Sequence, residues 1–227
     1  GPSVHLPHIR NGKSRHTASH LNEALHGSLA RLQTDFIDLY QLHWPDRPTN
    51  MFGQLGYKPA QSEQLPQIES TLRALADFIT AGKVRHIGLS NETPWGLMSF
   101  LSAAERSGLP RVVSVQNPYN LLNRAFEVGL AEIADREQAG LLAYSPLGFG
   151  TLTGKYANGE RPKGARISRY NRFVRYTKEQ GVVATTQYVE LAHQFGIDPA
   201  QMAISFILSK RYVTSVIIGA TNDQQLR

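Results

Sequence analysis

The sequence contains no cysteine. Disulfide scaffolds, thiolate metal centres and cysteine nucleophiles are therefore excluded. Methionine and tryptophan are scarce, at 3 and 2 of 227 residues. No apolar run reaches the ~18 residues that a membrane-spanning helix requires. The N-terminal residues also lack the short apolar core of a secretory leader. These absences predict a cytoplasmic protein with no membrane partner. Acidic residues are the minority charge, 18 against 24 Lys+Arg, which leaves a formal net charge of +6. A basic excess suits a polyanionic partner: nucleic acid, an acidic membrane or a phosphorylated small molecule. Against these absences, 41% of residues are hydrophobic and 19% charged, which excludes a wholly disordered chain. A chain of this size buries about 70% of its unfolded surface on folding.

The positive charges are dense in one stretch only: Arg161, Lys163, Arg166, Arg169, Arg172 and Arg175, interleaved with Tyr170, Phe173 and Tyr176. Single-stranded nucleic acid binds such patterns, but a solvated loop leading into a helix is the plainer reading, and no nucleic-acid partner is expected. His5, His8, His16 and His20 cluster near the start. No carboxylate or cysteine accompanies them, so no metal site is expected.

Periodicity organises the rest. Thr17 starts a helix whose Leu21, Leu25, Leu29 and Leu32 share one face. Residues 36–43 read as a strand, and 44–64 as a long loop rich in proline, glycine and aromatics. Ile68, Leu72, Leu75, Ala76 and Ile79 mark a helix ended by Gly82. Val84–Leu89 is a strand, and Thr93-Pro94 opens a helix that closes at Gly108. Further strands are expected at Val112–Gln116, Leu141–Tyr144 and Val213–Ile218. Helices are expected at 126–138, 182–195 and 199–208, with a long loop over 148–178. Short apolar strands alternating with helices build a parallel sheet. Two α/β architectures compete, an open doubly wound sheet and a closed (β/α)8 barrel. Only five strands are visible where a barrel needs eight.

In parallel α/β folds the chemistry sits at the C-terminal ends of strands. Those ends read His43, Ser90-Asn91, Gln116-Asn117, Tyr144-Ser145-Pro146 and Gly219-Ala220-Thr221. Five polar or aromatic ends converging on one face would suit a ligand with a flat ring and many hydrogen-bonding groups, such as a nucleotide cofactor. Gly148, Gly150 and Gly154 can offer backbone amides to phosphate. Their spacing is neither a dinucleotide fingerprint nor a P-loop, and taken alone they read as a flexible turn. His43 is the best single candidate for proton chemistry, because an apolar neighbourhood would keep it neutral at pH 7. A core histidine satisfied by backbone is the equal alternative.

The segments DLYQLHWPD (38–46), GKVRHIGLSN (82–91), VQNPYNLL (115–122), AYSPLGFGTLTGKY (143–156) and IIGATNDQQL (217–226) resemble the aldo-keto reductases, in that family's order and spacing. HWPDRPTNMFGQLGY resembles its bacterial Tas-like subgroup. The resemblance covers essentially the whole chain as one oxidoreductase domain, and implies an incomplete (β/α)8 barrel whose visible strands are four to eight. It implies NADPH as cofactor and a small-molecule carbonyl substrate. By it, His43 faces the substrate carbonyl, while Ser90, Asn91 and Gln116 hold the nicotinamide carboxamide. Tyr144 stacks on the nicotinamide ring. Ser145, Pro146, Leu147, Gly148 and Lys155 line the pyrophosphate path, with Arg166 as a further candidate. Gly219, Thr221 and Gln225 approach the 2′-phosphate. The family's catalytic Asp, Tyr and Lys match no position here; Asp38, Tyr40, Tyr57 and Lys58 do not correspond to them. The expectation is a truncated reductase, inactive by itself. A nicotinamide-sensing regulatory module is the alternative.

Overall fold

The computed structural model describes residues 15–50, 56–57, 67–170, 172–220 and 222–225. His5, His8 and Thr221 lie outside them, as do Phe52 and Lys58 in the segment read as a loop. The chain folds as two compact units. One comprises the described residues up to Gln116 together with Glu132–Gly140; the other comprises Asn117–Ala131 and the described residues from Leu141 onward.

The first unit carries α1 (Ala18–Leu32), β1 (Ile37–Leu42), α2 (Ile68–Thr80), β2 (Val84–Ser90), α3 (Pro94–Ser107) and most of β3 (Val112–Pro118). Each helix has the ends that its sequence specifies. Thr17 caps α1 by accepting from the His20 amide at 3.3 Å, and Gln33 ends it in a left-handed conformation. Thr93 caps α3 by accepting from the Gly96 amide at 3.2 Å, with Pro94 at the first helical position and left-handed Gly108 at the end. Leu21, Leu25 and Leu29 are buried, but Leu32 is 65% exposed. It sits at the last turn, where the helical stripe has rotated away from the core. Leu72, Leu75 and Phe78 of α2 and Leu97, Phe100 and Leu101 of α3 complete the core with Val84, Ile87, Leu89, Val112 and Val115 from the strands.

β1 pairs with β2 in parallel from Ile37 opposite Val84 to Leu42 opposite Leu89. β2 pairs with β3 in parallel, ending with Ser90 opposite Gln116. Neighbours in the sheet are therefore neighbours in sequence, as in a sequentially wound (β/α) barrel. A doubly wound sheet would instead reverse its strand order at a switch point.

After these come α4 (Leu130–Arg136) and β4 (Gly140–Tyr144). The sequence predicted one helix over 126–138. The structure has instead a 3₁₀ turn at Ala125–Glu127, then a break, then α4. Gly129, at φ 98°, supplies the break with a backbone conformation incompatible with a continuous helix.

The second unit continues with α5 (Arg166–Arg169), α6 (Glu179–Gln194), α7 (Pro199–Leu208) and β5 (Val213–Ile217). β5 pairs with β4 in parallel, from Leu141 opposite Val213 to Tyr144 opposite Ile217. Asp198 caps α7 through the amides of Ala200 and Gln201, at 2.8 and 3.1 Å. The stretch read as a long loop is partly helical, with 3₁₀ turns at Gly148–Thr153 and Ala157–Gly159 in addition to α5. These turns are too short to leave a periodic signal. α6 begins three residues before the expected start because Glu179 and Gln180, both polar, belong to its exposed first turn. The described strands number five, all in an α/β arrangement and fewer than a closed barrel contains.

Candidate functional site

In the first unit, the polar residues at the three strand ends form one hydrogen-bonded cluster. β2 delivers Ser90 and Asn91 to the C-terminal end of the strands, 4% and 6% exposed. Asn91 has φ 56°, the left-handed region that asparagine tolerates better than most residues. That turn aims its side chain back at β1, where Nδ2 donates to the His43 carbonyl at 2.9 Å and to Ser90 Oγ at 3.2 Å. Ser90 Oγ donates to the Gln116 carbonyl at 2.9 Å, which also accepts the Asn91 amide at 3.0 Å. Gln116 Oε1 accepts from Gln41 Nε2 at 2.7 Å. The strand register alone puts Ser90 beside Gln116, and the side chains then lock the three ends together.

His43 follows β1 and remains exposed to solvent. Its ring lies against Trp44, with centroids 4.5 Å apart. Partial desolvation lowers the imidazole pKa below the ordinary histidine value, so the ring is neutral at pH 7. A neutral imidazole can donate one hydrogen bond to a carbonyl oxygen without introducing a charge.

The second unit holds the remaining candidates. Tyr144 ends β4 and is half-buried. Burial pushes its phenol up to about 12, although Arg175 acts in the opposite direction. Ser145 is left-handed, at φ 57°. Its carbonyl accepts from Asn120 Nδ2 at 2.8 Å and from the Gly148 amide at 3.0 Å. Pro146 and Gly148 are buried, and Leu147 precedes the 3₁₀ turn. The Leu147 carbonyl accepts from the amides of Gly150 and Leu152 at 2.8 and 3.2 Å. The glycine-rich stretch is thus an ordered turn. Phe149, in its middle, packs on Phe173 and Tyr176 with centroids 5.0 and 4.9 Å apart.

Cations surround this aromatic group. Arg166 lies 5.9 Å from the Phe149 centroid and 5.3 Å from that of Phe173. Arg172 is 5.1 Å from Phe173, and Arg175 is 5.8 Å from Phe149. Lys155 folds back onto Gly150, where a Cβ would lie 2.9 Å from its Nζ. Gly150, at φ 94°, is thus glycine both for its backbone and for this close approach. Gly219 and Gln225 are exposed, Gln225 within a 3₁₀ turn at Asp223–Gln225.

The sequence reading missed several residues that hold these groups. In the first unit they are Gln41, Arg47 and Glu92; in the second, Asn120, Phe149 and Tyr176. Asn120 had a visible signal, a polar residue in the apolar run after a strand. Arg47 and Glu92 had none, because their partnership spans 45 residues.

The sequence profile described as "Aldo/keto reductase family" matches residues 6–227. The protein named "Protein tas" of Escherichia coli K12 is 55% identical over 207 residues, covering 91% of this chain and 60% of that protein. An "Aldo-keto reductase" of Babesia bovis is 37% identical over 238 residues, covering 99% of this chain and 84% of that protein. Among solved structures, a glycerol dehydrogenase of Gluconobacter oxydans superposes with a TM-score of 0.69 at 26% identity. That match covers 93% of this chain and 57% of the other. The chain thus spans about three fifths of the length of the first of these relatives.

Proposed function

We propose, from the premise that this chain belongs to the aldo/keto reductase family, that it forms part of an NADPH-dependent carbonyl reductase. The observation that carries this reading is the cluster of His43, Asn91, Ser90 and Gln116, locked by hydrogen bonds at three adjacent strand ends. It offers neutral donors and acceptors, the complement of a carboxamide, beside an exposed neutral imidazole. In the second unit, Tyr144 offers a flat face, and Lys155, Arg166 and Arg175 offer charge for phosphates. Each donor set, taken within its own unit, is of the kind that one part of a nicotinamide dinucleotide requires. When bound, NADPH supplies the hydride that reduces an aldehyde or ketone to an alcohol.

In this proposal His43 donates a hydrogen bond to the substrate oxygen and orients the carbonyl. Its neutrality matters, because protonation would exchange a positioning group for an unshielded charge. Ser90, Asn91 and Gln116 hold the carboxamide, which fixes the ring face presented to substrate. Tyr144, kept as the neutral phenol by burial, stacks on the ring. Ser145, Pro146, Leu147, Gly148, Lys155 and Arg166 accommodate the pyrophosphate. Gly219, Thr221 and Gln225 are assigned to the adenosine 2′-phosphate. The family's proton donor, its Tyr with the supporting Asp and Lys, has no counterpart among these residues. The chain alone is therefore proposed to bind the cofactor without turning it over.

Thermal unfolding with and without NADPH tests this. A ligand specific for the folded state adds about 2.7 kcal/mol at a hundredfold excess over Kd. A cooperative transition that rises with NADPH, more than with NADH, is expected. A transition indifferent to both cofactors overturns the reading, and turnover of an aldehyde that is abolished by His43→Ala overturns the proposed inactivity.

A further inference from the structure

A buried ion pair stands beside the first unit's cluster, and the proposed chemistry does not use it. Arg47 and Glu92 meet bidentately, Nη1 to Oε1 at 2.8 Å and Nη2 to Oε2 at 2.6 Å. Their side chains are only 11% and 3% exposed. Arg47 also donates to Thr93 Oγ1 at 3.0 Å, and its guanidinium lies 4.9 Å from the Trp95 ring centroid. Glu92 Oε2 accepts the Thr93 amide at 2.8 Å. Space for the pair comes from Gly96, in the first turn of α3, where a Cβ would overlap both the carboxylate and the guanidinium.

The placement of the pair is informative. Glu92 directly follows Asn91, and Arg47 comes four residues after His43. Asn91 binds the His43 carbonyl, and Glu92 binds Arg47. Two rungs therefore tie residues 43–47 to the turn after β2, one neutral and one charged. Trp44, whose ring is tilted at 36° against that of His43, lies between them in the chain. Asp46 adds a third tether by accepting from the His16 amide at 2.9 Å. Stability alone accounts poorly for this arrangement, since apolar residues of similar volume often replace a buried ion pair at no loss. A bidentate pair offers directionality that apolar contacts lack.

We propose that Arg47 and Glu92 are positioning residues, whose pairing fixes the segment bearing His43 and Trp44 against the Ser90-Asn91 turn. The purpose of that placement rests on the carbonyl-reductase reading; the placement itself does not. Both consequences are measurable without cofactor. In a Trp95→Phe background Trp44 is the remaining tryptophan, and its quenching by acrylamide reports how firmly the segment is held. The His43 ring protons, identified by their loss in His43→Gln, report the contact with Trp44 through the ring-current shift.

The full chain is compared with Arg47→Met/Glu92→Leu and with Arg47→Lys, which keeps the charge and loses the fork. The double variant is expected to unfold cooperatively, with at least a twofold rise in Trp44 quenching and a His43 ring signal moved toward the position it has without the Trp44 contact. Arg47→Lys should fall between the two. A double variant that folds with both signals unchanged overturns the proposal. If the double variant does not fold, unchanged signals in Arg47→Lys overturn it equally. An absent NADPH effect on the parent chain would count against the reductase reading and leave these signals to be judged by themselves.

Discussion

Two buried asparagines, one in each unit, perform the same structural task in different surroundings. Asn91 comes directly after β2 and Asn120 two residues after β3, at 6% and 0% exposure. Each donates its side-chain amide to a backbone carbonyl far along the chain, His43 at 2.9 Å and Ser145 at 2.8 Å. Around Asn91 the remaining contacts are directional: the hydroxyl of Ser90, the carbonyl of Gln116 and the Arg47–Glu92 fork. Around Asn120, hydrogen bonds with Leu122 and Asn123 are joined by a group of rings with cations over them. Tyr176, whose hydroxyl accepts from Asn120 at 3.2 Å, packs on Phe149 at an interplanar angle of 59°, and the arginines lie over the Phe149 ring. Hydrogen-bond energy falls steeply with angle, whereas cation–π attraction varies gently and contributes only about 0.5–1 kcal/mol at exposed sites. The first unit's cluster is therefore held by bonds that fix atoms, and the basic surface of the second by attractions less sensitive to direction. Under the proposed reductase reading, a carbonyl-orienting site would need the former and a phosphate path would tolerate the latter.

The largest break in this comparison should come at Asn120. Replacement by Leu keeps most of the volume but leaves the Leu122 amide, which donates to Oδ1 at 2.9 Å, without that acceptor, takes a donor from the buried Tyr176 hydroxyl, and leaves the Ser145 carbonyl with the Gly148 amide alone. Each buried group left unsatisfied costs about 1–3 kcal/mol. Denaturant unfolding should show a loss of about 3–5 kcal/mol. Tyr119, adjacent and fully buried, bonds to Glu127 and Tyr212, so its backbone cannot follow the lost side chain. A loss under ~1 kcal/mol would mean that the aromatic group alone holds the Ser145 turn.

The next effect concerns Tyr144. A phenol raised from its usual value near 10 to about 12 stays protonated in the folded state while the unfolded chain ionises. Its contribution to stability is fully present below pH 10 and is lost as the pH rises to 12, amounting to about 2–3 kcal/mol. Tyr144→Phe should remove this part of the alkaline decline. Stability profiles of parent and variant that run parallel from pH 9 to 12 would show that Arg175 compensates the phenolate fully, making the second unit more directional than its rings suggest.

These two residues also show what the sequence could disclose. Tyr144 was legible because an aromatic at the end of an apolar strand stands out by position. The helices with capping residues, α1, α3 and α7, were legible because their ends are written locally. The cluster of His43, Ser90, Asn91 and Gln116 was legible as strand ends, although their mutual hydrogen bonds depend on register, which sequence alone leaves open. Asn120 showed itself as a polar residue after a strand, but its contact 25 residues away was not legible, and Arg47 and Glu92 were hidden because their partnership spans 45 residues. The 3₁₀ turn at 148–153 was hidden for another reason: it rests on left-handed Phe149, where local propensity argues against the observed conformation.

The smallest effect sharpens the comparison from the other side. Asn91→Gly and Asn91→Ala both delete the bond to the His43 carbonyl, so their difference isolates the backbone. At φ 56°, alanine suffers about 1–2 kcal/mol of left-handed strain, while glycine incurs about 0.4–1 kcal/mol of extra unfolded-state entropy. The terms oppose, and the glycine variant should be more stable by about 0.5–1 kcal/mol. That margin requires the turn to keep its shape after the side chain is gone, held by the Asn91 amide on the Gln116 carbonyl and by Glu92 on Arg47. If alanine proves equal or better, the turn has relaxed to an ordinary conformation. The side chain of Asn91 would then be the cause of the first unit's rigidity, and the neighbouring ion pair would be insufficient to maintain it.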